Sequence, residues 1–231
     1  MQIVLNHVTR MRGERICIAG VEPGSRRHVR PTTAPDELLT RELLSVEGGF
    51  VEPGVLIGLG NPRPTPSPPE VEDHRCSLRR IEPVRRLGGT DYLTLLDSLA
   101  GESLAEVFGE DLYRATRWKY AVDPGHGAAS LGVLRVYRPP QLEIDRYGKV
   151  TARLNDPEPQ AYATVTDVRF FRSDHKTPRE DRVDDVNRRL GRGVDAFLMM
   201  GLSRAVGAPG NLHWLQVNGI CLADRPLGER P

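Results

Sequence analysis

Residues Arg15–Val21 read RICIAGV, and a second apolar run at Ile3–Val8 precedes them across a short turn around Gly13. Polar and apolar residues alternate in RICIAGV, the period of a strand with one face in a core. Working outward, Glu22-Pro23-Gly24-Ser25 is a turn and Arg26–Pro31 reads as the next strand. Val55–Leu59 is a further apolar strand, whereas leucine spacing in Asp36–Val46 predicts a short helix. The stretch Asn61–Asp73 carries Pro62, Pro64, Pro66, Pro68 and Pro69, so it is expected as a stiff extended loop. Cys76–Arg86 then returns as a strand-like, arginine-rich segment.

The centre is helical in pattern. Asp91–Ala100 places leucines on one stripe, and Ser103-Leu104-Ala105-Glu106 has the form of a capping box. Strand signals resume at Ser130–Tyr137. Leu142–Arg146 and Lys149–Leu154 flank Tyr147-Gly148 as a hairpin, and Ala161–Phe171 is rich in β-branched and aromatic residues. Arg179–Leu190 puts Val183, Val186 and Leu190 on one stripe of a charged helix, and Ala196–Leu202 and Trp214–Leu222 close the chain as strands. The expected class is mainly β with short helices (α+β). Each half holds about five strands and a helical insertion, a count that suits two tandem small Greek-key barrels of the oligonucleotide/oligosaccharide-binding (OB) type. The expected division is 1–89 for the first barrel, 90–128 for a helical connector and loop, and 129–231 for the second barrel.

Composition narrows the function. The chain of 231 residues has 32 Lys+Arg against 31 Asp+Glu, a formal charge of +1, so any anion site has to be local. The lysines are Lys119, Lys149 and Lys176 alone and every other basic residue is arginine, a bias that a GC-rich genome also produces. Cys17, Cys76 and Cys221 are far apart without a CxxC pair, which reads as reduced thiols and a cytoplasmic location. No signal peptide or membrane span is expected.

Three clusters could carry chemistry. If Arg26–Pro31 is a strand, Arg26, His28 and Arg30 share a face suited to phosphates; a solvated strand face fits the same pattern. The segment Arg117-Trp118-Lys119-Tyr120 alternates cations with rings, as a single strand or nucleotide needs, although both rings could equally be core anchors. Glu70, Glu72, Asp73, His74 and Cys76 mix carboxylate, imidazole and thiol, but nothing completes a zinc set, so a turn with exposed charges is the default and no metal or cofactor is expected. There is no GxSxG elbow, P-loop or HExxH motif, so an enzyme is not expected.

The ordered set Arg15–Gly20, Val29-Arg30-Pro31, Val71-Glu72-Asp73-His74, Ser130–Arg135, Ala163–Asp167, Leu202-Ser203 and His213-Trp214 resembles the dual OB-containing domain family, a bacterial group of tandem oligonucleotide-binding-fold proteins. Two departures stand out: His28 sits where an aromatic is expected, and proline and glutamate replace a glutamine-rich lead into Glu72. The resemblance implies two tandem barrels and a nucleic-acid or nucleotide-binding role in prokaryotic conflict or antiviral defence systems. Arg26, Arg30 and Arg135 would meet phosphates, and Trp118, Tyr120 or Trp214 would stack on a base, with His28, Arg117, Lys119 and His213 beside them. Two alternatives stay open: a structural or adaptor subunit with a protein partner, and a nucleotide-processing enzyme using Glu72, His74 or Asp167.

Overall fold

A computed structural model describes residues 1–155, 160–205 and 211–227. The first half contains β1 (Gln2–Arg10), β2 (Ile16–Val21), β3 (His28–Thr32), β4 (Val55–Gly58), β5 (Arg63–Pro64), β6 (Asp73–Arg75) and β7 (Glu82–Arg86). They form one sheet in the order β5-β6-β3-β2-β1-β4-β7, antiparallel except for the parallel β3–β6 pair. The periodicity works as read from the sequence: Ile16 and Ile18 of β2 enter the core with Ile3, Leu5 and Ile57.

The second half begins with α1 (Gly89–Asp97), β8 (Ala100–Gly101), α2 (Leu104–Phe108), β9 (Tyr113–Arg114) and β10 (Tyr120–Val122). It continues through β11 (Leu131–Val136), β12 (Gln141–Ile144), β13 (Val150–Leu154), β14 (Ala161–Val165), α3 (Glu180–Leu190), β15 (Ala196–Leu202) and β16 (His213–Leu222). The second sheet runs β12-β13-β14-β16-β15-β11-β8, with β10 pairing both β16 and β9. The molecule is therefore mainly β with short helices. The segment 90–128, expected as a helical connector and loop, contributes β8 and β10, which pair with β11 and β16.

Both sheets share one feature of connectivity. In the first, β4 and β5 are consecutive in the chain, separated by residues 59–62, yet β5 ends the path and β4 lies at its far side. In the second, β11 and β12 are separated by residues 137–140 and lie toward opposite ends in the same way. Each break contains proline (Pro62; Pro139 and Pro140), which lacks the N–H a ladder needs. Each half also gathers its strands around one apolar core.

Several local readings are corrected. Asp36–Val46 is not a helix; it forms two single 3-10 turns, Arg41–Leu43 and Ser45–Glu47. The backbone of Leu39 accepts from Ile16 N (2.9 Å) and Arg41 N donates to Glu14 O (2.9 Å), so pairing with the start of β2 overrides the leucine spacing. Arg26 lies in the turn, with φ 57° and its N donating to Glu22 O, and β3 starts only at His28. Ala161–Phe171 is a strand only to Val165; Asp167 caps a 3-10 turn at Val168–Phe170 by accepting from Arg169 N. Cys76–Arg86 likewise begins with a 3-10 turn at Leu78–Arg80. The Ser103 cap is present, but Glu106 reaches back to Glu102 N (2.9 Å). Helix α3 buries Val183, Val186 and Leu190 along its predicted stripe.

A third core joins the halves: Val4 and Leu56 meet Tyr92 and Leu96 of α1 and Val133, Phe197 and Met199 of the second sheet. At Gly219 an added Cβ would lie 2.9 Å from Met199 Cε and 3.4 Å from Asn6 O, so a side chain there would displace the Met199 tip where β16 approaches β1. Polar groups extend the seam. Glu72, on the loop before β6, accepts from Ser130 N (2.8 Å), Ser130 Oγ (2.7 Å) and Leu131 N (3.2 Å). Asp73 pairs with Arg30 (2.6 Å) and with Arg204 of the second half (2.6 Å). Substituting Glu72→Ala leaves buried donors unpaired and is expected to lower stability by about 3 kcal/mol. Urea unfolding at neutral pH measures this, with Glu82→Ala on the exposed strand β7 as a control that changes little.

Candidate nucleic-acid interface

Alternation along three strands exposes one face of the second sheet. On β14, Ala161, Ala163 and Val165 are buried while Tyr162 and Thr164 point outward. On β13 the outward residues are Thr151 and Arg153, with Arg153 opposite Tyr162. On β16 they are Trp214 and Gln216, with Gln216 opposite Thr164.

The hairpin β9–β10 lays its turn against this face. Thr116 Oγ1 accepts from Trp118 N and Lys119 N, closing the turn, and Tyr162 N donates to Trp118 O (2.7 Å). Arg114 braces it from below by donating to Arg117 O (2.7 Å), Gln160 O (3.3 Å) and Tyr120 Oη (3.1 Å). Trp118 remains 43% exposed and its ring meets Tyr162 edge-on, with centroids 5.9 Å apart. The Arg117 guanidinium lies 4.6 Å from the Trp118 ring, and Lys119 Nζ lies 6.0 Å from the ring of the half-buried Trp214. Tyr120 is half-buried beneath Arg114. Neither Arg117 nor Lys119 forms an ion pair with a carboxylate among the described residues. Solvated cations and a ring face are thus displayed together, the pairing that phosphate and base require.

The other sequence candidates are placed differently. Arg26, Arg30 and Arg135 do not converge. Arg26 is exposed in its turn, Arg30 is 4% exposed within its Asp73 ion pair, and Arg135 pairs with Asp97 of α1 and packs on Phe197 (5.4 Å). A buried, paired guanidinium is not available to a phosphate. His213 is sealed, its Nδ1 2.9 Å from Ser203 O and 3.4 Å from Glu70 Oε1. His28 stacks edge-on against buried His7 (5.4 Å) and meets Asn6 Nδ2 at 3.3 Å.

Glu72, His74 and Asp167 form no acid–base group. The Glu72 carboxylate is filled by its three donors, His74 Nδ1 faces Glu72 O (2.9 Å), and Asp167 is clamped by Arg169 through both oxygens. The 70–76 segment is thus a structural joint rather than a turn of exposed charges, since Glu70, Glu72, Asp73 and Cys76 are buried. Among the described residues no three His, Cys, Asp or Glu side chains converge as metal ligands, and no helix is long and apolar enough to cross a membrane. The three cysteines are free thiols, and burial pushes Cys76 up to about 11 and Cys221 to about 12.

Comparison of the chain with protein families, curated proteins and solved structures finds no match. The geometry is therefore the whole basis for a functional reading. Sequence reasoning missed Tyr162, Arg153 and Arg114. Tyr162 and Arg153 were legible as the outward positions of AYATV and TARL; that the Trp118 turn docks on them was not.

The histidine pair makes a further measurable statement. Burial holds the His28 pKa down at about 4, and burial with the nearby His28 and Arg30 lowers His7 well below its ordinary range. The unfolded chain binds these protons near pH 6.5 and the folded chain does not, so the stability is fully present above pH 6.5 and is lost as pH falls toward 4. Urea midpoints at pH 7, 5.5 and 4.5 should fall in that order, and His28→Gln should flatten the decline.

Proposed function

We propose that the chain is a binding module for single-stranded nucleic acid or a nucleotide, built on two small Greek-key barrels of the OB type. The barrel reading is supported by the two sheet paths, whose ends are linked by breaks of a few residues, so that one stretch of chain serves both ends. Counting β11 and β12 as one interrupted strand, β13 and β14 are the second and third strands of their barrel. Ligands of OB barrels lie on that face, between the loops that follow the first and fourth strands. The hairpin turn 145–149 flanks it, carrying Tyr147, 71% exposed, with the Arg146 guanidinium 4.7 Å from its ring.

The observation that carries this reading is Trp118: an exposed ring held by a braced turn between two cations without carboxylate partners. Base stacking on such a ring is worth ~1–3 kcal/mol and tolerates any base, so the reading favours weak sequence preference. Affinity arises from a local charge cluster in a nearly neutral protein, so it depends steeply on salt.

Fluorescence anisotropy with labelled ten-base oligo-dT and oligo-U across a salt series tests it. Trp118→Ala is expected to weaken binding about tenfold or more, and Lys119→Gln to reduce the salt slope by about 0.7. Arg26→Gln and Arg135→Gln should leave affinity unchanged. Absence of binding at low salt, or equal binding by Trp118→Ala, overturns the reading.

A further inference from the structure

A groove of about 390 Å³ lies between the two halves, away from the aromatic face and sharing no residue with it. Its apolar wall comes from both sides: Val8, Leu44 and Val51 from the first half, Phe171 from the second, with Val46, 71% exposed, at the rim. The cavity is within the size range of small-ligand pockets, at the kind of junction where such pockets concentrate.

Its charges do not balance. Glu47 is paired with Arg41 (3.1 Å), and Glu52 with Arg86. Two of the four lining arginines have carboxylates of their own: Arg169 holds Asp167 (2.6 Å) and Arg179 holds Asp181 (2.7 Å). The other two are less well matched. Arg172 makes no ion pair among the described residues, and Arg182 reaches only Asp185, at 3.8 Å, which Arg188 and Arg189 also contact. Behind Phe171, Arg10 stacks on the ring at 3.8 Å and donates to His175 O (2.7 Å).

Unmet polar groups gather at the same place. His175, 4% exposed and part of the lining, has a buried Nδ1 with no hydrogen-bond partner; the buried Nε atoms of Arg10 and Arg182 also lack one. Burial, with the adjacent Arg169, lowers the Arg182 pKa despite Asp167 and Asp185 nearby. A cation half-withdrawn from water with only a shared carboxylate at 3.8 Å is incompletely compensated, and an anion entering the groove lowers that cost.

We propose that this groove binds a small organic phosphate, a phosphate monoester with a flat or short aliphatic body. The phosphate would meet Arg172 and Arg182, whose planar forks suit its oxygens, and the body would rest on Val46, Val168 and Leu227, the lining apolar side chains left open. Arg172, which has no ion pair among the described residues, and Arg182, which only shares Asp185, together match a phosphate monoester near its dianionic state better than a monocarboxylate. A ligand here touches both halves and only in the folded chain, so it ties them together.

Calorimetry on the full chain tests this, with phenyl phosphate, inorganic phosphate, benzoate and benzyl alcohol as probes. Phenyl phosphate is expected to bind about tenfold more tightly than inorganic phosphate or benzoate, and benzyl alcohol to give no measurable heat. Arg172→Gln and Val46→Asp alter exposed side chains that the fold does not need, and each should weaken phenyl phosphate about tenfold. Trp118→Ala should leave it unchanged. The proposal is overturned if phenyl phosphate does not bind, if both groove variants bind it normally, or if Trp118→Ala abolishes binding.

Discussion

Two neighbouring carboxylates, Glu72 and Asp73, are buried where the halves meet, and each is satisfied from both sides of the seam or across it. A charge taken out of water has to find donors in fixed positions, and this need locks the relative placement of the sheets more sharply than apolar contact does. Asp73 holds Arg30 from one half and Arg204 from the other; Glu72 fastens the first half to the start of β11. The backbone follows the same line, with Arg10 N donating to Thr166 O (2.8 Å).

That junction decides which surfaces stay open. On the first half, the outward side chains of β1 and β3 near the seam (Asn6, His7, Arg30) are covered. On the second half, the outward residues of β13 and β14 remain at the surface, and the β9–β10 turn adds Trp118 and its two cations to them. The face of the second sheet thus stays open while the seam side of the first sheet is spent on assembly. The seam also creates the arginine-lined groove, a surface that neither half possesses alone.

Individual residues show how far the sequence was legible. The Trp118 segment stood out because it sets two rings beside two cations in four residues, but the sequence left open whether the rings were core anchors; Trp118 is exposed and Tyr120 half-buried. Arg30 and Arg135 looked equivalent to any other outward arginine on a strand. Their partners, Asp73 and Asp97, are distant in sequence, and nothing in a linear pattern announces an ion pair across a sheet or between a helix and a strand. The same holds for Glu72, whose three donors come from residues nearly sixty positions later.

By itself the sequence determined the longer strands, the amphipathic helix α3, the hairpin at Tyr147-Gly148 and the absence of a bulk basic charge, because period and turn chemistry act over a few neighbouring residues; the short strands β5, β8, β9 and β10 were not legible in it. Only the tertiary structure decided that Asp36–Val46 is not helical, that Arg26 lies in a turn, and which arginines face solvent. Those outcomes depend on hydrogen bonds and ion pairs between segments far apart in the chain. A burial or pairing energy of this kind exceeds the small local preference it overrides.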